Sequence, residues 1–451
     1  MYLNRIVIRN LRGFDDASRA LDLTFKRPNG THAGWTVIAG RNGSGKSTLL
    51  QAAALALLGP SWVRSVKDSF KDWIRVRADS GDVQVELVAG KGDAMTGSGA
   101  SPKAPFWTGL NWSRSEDGDE PTIEALVYRN SPGRRKLPSR GPWSENPHGW
   151  FIAGYGPVRR LTGHSADAAR TMAGAPCVAR VVNLFREDAS LVEATEWLRA
   201  CYNRGQDKHL PTPQRLAAEK ITESVVALLN HDDLLLDGVE LQRVDTRGLW
   251  ARQGASELQL AQLSDGYRTV ITLVLDIVHQ MARTFGDVAF AERDCAVLNE
   301  GVVLIDEAEL HLHVSWQKRL GFWLKRHFPN VQFVVTTHSP YICQAADENG
   351  LLRLCGSGDE ARSGPVSEEA FRRVVYGSAD DATMSELFGV ERTYSDRAEA
   401  LRDELATLEV RAMREKLLPR ERRRIAELHE TLPVTPSTDV AQALRQLARG
   451  R

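Results

Sequence analysis

Apolar and polar positions alternate over residues 3–8 (LNRIVI) and 21–25 (LDLTF), the period-two pattern of strands with one covered face. Residues 35–39 (WTVIA), 302–305 (VVLI) and 331–336 (VQFVVT) are nearly continuous apolar runs, as expected of strands covered on both faces. From residue 46 the run KSTLLQAAALALL is rich in Leu and Ala and stops at Gly59-Pro60, which predicts a helix closed by a glycine and a proline. Residues 263–284 form a long apolar helix pattern. Strands alternating with helices predict an α/β core with a mixed sheet.

Further strands are expected over 83–88 and 122–128, separated by a Gly-, Ser- and Pro-loaded stretch (90–121) that reads as a long surface loop. Residues 178–230 have helical periodicity and read as an insertion. Residues 287–300 (DVAFAERDCAVLNE) read as an extra loop. At the C-terminal end Leu401, Leu405, Leu408 and Ala412 share one helical face, Pro419 follows, and Ile425, Leu428 and Leu432 continue the pattern as a charged helical tail.

Composition narrows the function classes. Lys+Arg and Asp+Glu both total 58, so whole-chain charge gives no basis for binding nucleic acid or an anionic membrane. The cysteines Cys177, Cys201, Cys295, Cys343 and Cys355 are odd in number and lack any CxxC pair, suggesting neither a disulfide framework nor a zinc ribbon. No apolar run approaches the roughly 18 residues a bilayer span needs, and MYLNRIVIRNLRGF lacks the apolar stretch of a signal peptide. A chain in the reducing cytoplasm without a membrane partner is expected.

The chemistry begins at Gly40-Arg41-Asn42-Gly43-Ser44-Gly45-Lys46-Ser47, a full G-x-x-x-x-G-K-[ST] motif between a predicted strand and a predicted helix. Glycines let backbone N–H groups and the helix N-terminus point at phosphates, Lys46 reaches the β- and γ-phosphates, and Ser47 faces Mg2+; Thr48 completes the nucleotide-binding set. In GVVLIDEAE, Asp306 and Glu307 end a buried strand, Asp306 as the natural Mg2+ partner and Glu307 as the candidate general base for the attacking water. His338 follows another apolar strand at the same sheet edge and is placed to contact the γ-phosphate. Ser264, Asp265 and Gly266 open the long apolar helix, where a serine and a glycine form a second anion site.

Together these motifs resemble the ABC-type ATPase superfamily, in its order: Walker A, an LSxG signature (Leu263 to Gly266), Walker B with adjacent glutamate, then a switch histidine. The resemblance implies an ATPase that uses ATP and Mg2+, with Lys46, Glu307 and His338 catalytic. It also implies a head-to-head dimer in which Ser264, Asp265 and Gly266 of one copy close on the nucleotide of the other. IRNLRGF (8–14), DEAELHLH (306–313) and VVTTHSP (334–340) are similar to the SMC/RecF/OLD-like branch, with a look of the bacterial defence ATPases of Septu, PARIS and retron-associated type. That look implies regulation of a separately encoded effector, a nuclease or toxin, in antiphage defence. A RecF- or SMC-like DNA-repair ATPase and a non-hydrolysing nucleotide-gated scaffold are the alternatives.

The expected division is an N-terminal ATPase lobe (1–160), a helical insertion (161–255), a C-terminal ATPase lobe (256–384) and the charged tail (385–451). The tail lacks the second strand-rich unit that the nuclease of OLD-type proteins would need. No glutamine is placed for the superfamily's Q-loop, since Gln84 lies inside a strand pattern. Arg134, Arg135, Lys136 and Arg140 form a basic loop, and Arg420, Arg422, Arg423 and Arg424 a basic stretch of the tail; DNA contact is possible at either, with a solvated or charge-paired face as the default. His311 and His313 alternate like metal ligands but have no third ligand at useful spacing. Leu191, Trp197 and Leu198 read as core.

Overall fold

Two sheets share one helix. In the computed structural model, residues 1–433 are described except 18, 98–99, 116–119, 146, 160–164, 292–294, 357–358, 360–361 and 391–393. Strands β1 (Tyr2–Arg9), β2 (Leu21–Thr24), β4 (Ser80–Val88), β5 (Phe106–Ser113) and β6 (Thr122–Ala125) form an antiparallel sheet in the order β2-β1-β4-β5-β6. Strands β3 (Gly34–Ala39), β7 (Ile152–Tyr155), β13 (Gly301–Ile305), β14 (Val331–Thr337), β15 (Leu351–Arg353) and β16 (Gly364–Pro365) form the second, in the order β16-β15-β3-β14-β13-β7. Every pairing in the second sheet is parallel except β15 with β16, so the expected mixed sheet is present.

The pleat divides the apolar residues of this sheet between two cores. Trp35, Val37, Ala39, Val303, Ile305, Phe333 and Val335 face one; Ile38, Val302, Leu304 and Val334 face the other. Helix α1 (Lys46–Leu58) fills the second core between the two sheets, which is why it is apolar on nearly every side. Its end is closed by Gly59 at φ 77°, whose N–H donates to the Leu55 carbonyl.

The first core is covered by α2 (Val192–Gln206), α3 (Thr212–Asn230), α4 (Asp265–Phe285) and α5 (Val314–His327). Leu191 and Leu198 lie in this core, and the partly buried Trp197 stacks on His279 at 5.1 Å, as their patterning predicts. A three-stranded antiparallel sheet of β8 (Glu240–Asp245), β9 (Gly248–Gln253) and β10 (Ser256–Gln259) crosses the expected end of the helical insertion at residue 255, and helical periodicity did not reveal it.

The expectation of one loop across 90–121 is overturned by β5, whose Phe106, Thr108, Leu110 and Trp112 alternate into the core. A Cβ at Gly109 would approach the Val83 carbonyl oxygen at 2.5 Å, so the strand needs a glycine where composition suggested a loop. The strand expected over 122–128 ends at Ala125. The loop expected over 287–300 contains the two-residue strands β11 (Phe290–Ala291) and β12 (Ala296–Val297).

Met1–Phe388 form one compact unit and Gly389–Arg451 a second. The second unit contains α6 (Asp396–Arg414) and α7 (Pro419–Thr431), joined by a short link and tied by Arg424–Glu404 at 2.8 Å and Arg411–Glu421 at 3.2 Å. Leu428 and Leu432 are buried, whereas Ala412, expected on the apolar face, is exposed. All five cysteines are free, and among the described residues no helix is long and apolar enough to cross a membrane.

Candidate nucleotide site

Because β3, β14, β13 and β7 run parallel and side by side, the segments that follow them emerge at one sheet edge. Ala39 pairs with Thr337 and Ile305 with both Val335 and Tyr155. This register brings together the loop Gly40 to Gly45, the pair Asp306-Glu307, and His338.

The loop needs its glycines. Gly43 and Gly45 have φ of 75° and 102°, and a Cβ on Gly45 would lie 2.8 Å from Phe14 Cζ. A Cβ on Gly40 would meet the Leu354 carbonyl oxygen at 2.4 Å. Phe14 ends the IRNLRGF motif, so that motif and the phosphate loop meet in space.

Lys46 Nζ donates to the carbonyls of Gly40 at 2.9 Å and Arg41 at 3.2 Å, curling back over the loop it follows. Burial lowers its pKa, and the carboxylates of Asp306, Glu307 and Glu309 oppose that shift. Among the described residues the buried Ser44 Oγ has no hydrogen-bond partner. A phosphate fits this set: it would give Lys46 and Ser44 an anionic acceptor. Arg41, Asn42 and Gly43 are exposed, Ser47 is half-buried, and the Thr48 hydroxyl lies 3.5 Å from Arg12 Nη1.

Asp306 is buried, and its Oδ1 accepts the Thr336 hydroxyl at 2.5 Å. Ser47 and Asp306 offer the hard oxygen atoms that Mg2+ prefers, so the residues fit that ion. Glu307 has a left-handed φ of 46°, unusual for a residue with a long side chain. Two groups brace its peptide: its N–H donates to Thr336 Oγ1 at 2.8 Å, and its carbonyl accepts Arg159 Nη2 at 2.6 Å. Among the described residues its carboxylate makes no hydrogen bond, leaving it available to a water.

Two participants escaped the sequence reading. Arg159 is buried, donates also to the carbonyls of Asp306 and Gly156, and among the described residues its Nη1 has no partner. Burial lowers its pKa to about 10 against the pull of Glu309, Asp306 and Glu307. Glu309 accepts the Thr337 hydroxyl and the His338 N–H, each at 2.6 Å, and so fixes the backbone that presents the exposed His338. Five carboxyl or basic groups within GYGPVRR and DEAE were a visible signal; that Arg159 turns inward was not.

The signature segment opens α4 with exposed residues. Ser264 is the N-cap of α4, yet its side chain makes no capping bond; Ser264 and Asp265 are exposed. Gly266 packs against Trp316, whose ring would lie 2.6 Å from a Cβ there. Gln84 is buried and donates to Asp82 and Tyr128, a role internal to its sheet. His313 caps α5 by accepting the Ser315 N–H, and the basic residues Arg134, Arg140 and Arg424 are engaged by Pro105, Thr96 and Glu404.

Comparison with known families finds similarity over both halves of the nucleotide site. The family described as "AAA domain" matches residues 5–115, and the family described as "AAA domain, putative AbiEii toxin, Type IV TA system" matches residues 172–344. Two AAA-domain models thus match separate stretches of the chain, one containing the phosphate loop and the other the signature, Asp306-Glu307 and His338. It is 26% identical over 342 residues to the Septu protein PtuA of Bacillus mycoides (strain KBAB4), covering 75% of this chain and 38% of that relative. It is 30% identical over 141 residues to the Retron Vc95 probable ATPase of Vibrio cholerae serotype O1 biovar El Tor, covering 31% of this chain and 25% of that relative. The matched regions thus span well under half the length of these relatives. Among solved structures, the SmcHead bound to the C-winged helix domain of ScpA aligns with a TM-score of 0.47 at 15% identity, covering 82% of this chain and 99% of that one.

Proposed function

We propose that this ATPase-domain protein binds and hydrolyses ATP, closes as a homodimer around it, and uses that closure to regulate a separately encoded nuclease or toxin in antiviral defence in the bacterial cytoplasm. The observation that carries the reading is the gathering of Lys46, Asp306 and the braced Glu307 at one sheet edge, combined with a signature, Ser264 to Gly266, whose serine and aspartate are exposed. The likeness to a Septu protein and a retron ATPase supports the defence role.

In this reading the backbone from Gly40 to Ser47, with Thr48 at the start of α1, holds the phosphates, and Lys46 exchanges its two loop carbonyls for phosphate oxygens. Mg2+, held by Ser47 and Asp306, would neutralise charge on the phosphate oxygens. Glu307 takes a proton from the attacking water, and His338 contacts the terminal phosphate so that its release is felt at the edge of β14. Ser264, Asp265 and Gly266 of one copy, presented at the N-terminus of α4, meet the phosphates held by the other.

The test is a comparison of the purified chain with Glu307→Gln. Wild type should hydrolyse ATP, while the variant should lose at least roughly 100-fold of turnover yet still bind ATP and sediment as a dimer in ATP and Mg2+. Equal turnover by the two proteins would overturn the assignment of the base. Capture of the tagged variant from its host should bring down a stoichiometric nuclease or toxin; DNA alone would favour the repair reading.

A further inference from the structure

On the far side of the molecule's chemistry, three side chains converge where α3 ends and α5 ends. His231 and Asp232 follow α3, and His327 is the last residue of α5. One ligand atom from each lies within 4.8 Å of the others. His327 Nε2 is 3.1 Å from Asp232 Oδ2, and His231 Nδ1 is 3.2 Å from Asp232 Oδ1.

The protonation pattern of His327 is decided by its other nitrogen. Nδ1 lies 3.1 Å from the Cys295 carbonyl oxygen, which can only accept, so Nδ1 carries the hydrogen. In the neutral ring Nε2 then presents a lone pair to a carboxylate oxygen, and two acceptors face each other across 3.1 Å. His327 is completely buried, so no solvent reaches that contact from its side. Arg326 Nη1 lies 3.0 Å from Asp232 Oδ2 as an ion-pair partner.

His231 offers a second unsatisfied atom. Its Nδ1 is buried and, among the described residues, has no well-aligned hydrogen bond, although it lies 3.2 Å from Asp232 Oδ1. The main chain beside it is held, since Trp323 Nε1 donates to the His231 carbonyl at 2.9 Å. The Trp323 ring in turn packs on His327 at 4.4 Å.

We propose that His231, Asp232 and His327 form a binding site for a divalent transition-metal ion of the Zn2+ class, tying the end of the insertion helix α3 to the end of α5. Two imidazoles and a carboxylate are a common zinc donor set, and ligand atoms around a tetrahedral Zn2+ lie about 3.3 Å apart, close to the 3.1 Å between His327 Nε2 and Asp232 Oδ2. The Cys295 carbonyl on Nδ1 is the outer partner that orients a ligating histidine. The C-terminal end of α5 adds a favourable dipole for a cation. Arg326, largely exposed, is free to swing to solvent as the ion takes Asp232 Oδ2. A water fills the remaining position.

The experiment strips the full chain of metals and titrates it with Zn2+ against a chromophoric chelator, without nucleotide. Wild type should take up one Zn2+ per chain, and Asp232→Asn, a near-isosteric change at a partly exposed residue, should bind at least about tenfold more weakly. Lys46→Ala should bind Zn2+ like wild type, which separates this site from the phosphate loop. Zn2+ should raise the melting temperature of wild type and not that of Asp232→Asn. Sub-stoichiometric uptake by wild type, or equal affinity in Asp232→Asn, would overturn the proposal.

Discussion

The Arg159 guanidinium donates to the Glu307 carbonyl at 2.6 Å, clamping a residue that sits at a left-handed φ of 46°. A conformation of that kind costs on the order of 1–3 kcal/mol and persists only where its surroundings enforce it. Arg159→Lys keeps the charge but loses the planar fork that reaches three carbonyls. Turnover should fall roughly 10- to 100-fold through misplacement of Glu307, with the KM for ATP little changed. Steady-state ATP hydrolysis separates the two parameters; an equal rise in KM would point to nucleotide binding instead.

A second link ties the site to the signature helix. The Tyr155 hydroxyl on β7 donates to Asp276 Oδ2 on α4 at 2.8 Å, fully inside the core. Burial and the Asp276 charge raise the tyrosine pKa well above its ordinary value, so it remains a donor throughout the usual pH range. Tyr155→Phe leaves Asp276 with Gln280 Nε2 at 3.2 Å and His279 Nδ1 at 3.8 Å, both on Oδ1, and should cost about 1–3 kcal/mol of stability in denaturant unfolding.

The phosphate loop is supported from below by Phe14. Gly45→Ala would force a side chain into φ 102° and bring a methyl within 2.8 Å of that ring. The variant should be destabilised by roughly 1–3 kcal/mol and lose ATP binding, measured by calorimetric titration.

Signature residues should separate by burial. Ser264 is exposed and makes no capping bond, so Ser264→Arg should alter unfolding stability by no more than about 1 kcal/mol while abolishing turnover. Gly266→Ala meets Trp316 and should lower both. If Ser264→Arg hydrolyses ATP like wild type, the signature has no part in the reaction.

The motifs and the long elements were legible because each carries its signal locally. Lys46 to Leu58 has Leu and Ala on every face and a Gly-Pro stop, and the strands before Gly40, Asp306 and His338 are continuous apolar runs. What escaped is short or relational. β7 is four residues long and runs into a turn-rich segment, so its place beside β13 has no periodicity to announce it. β5 follows a Gly- and Ser-rich stretch, and composition outweighed its alternation. Arg159, Glu309 and Asp276 act through partners 147, 29 and 121 positions away, and spacing along the chain carries no trace of such pairs.

The central claim is that each nucleotide site is completed by the signature of a second copy. Mixing Lys46→Ala with Ser264→Arg, each inactive alone, tests it most directly. A heterodimer of the two has one site with both an intact phosphate loop and an intact signature, so an equal mixture should recover up to about a quarter of wild-type turnover for independent sites in a symmetric dimer. A mixture as inactive as its parents, across protein concentrations that support dimers, would contradict the account.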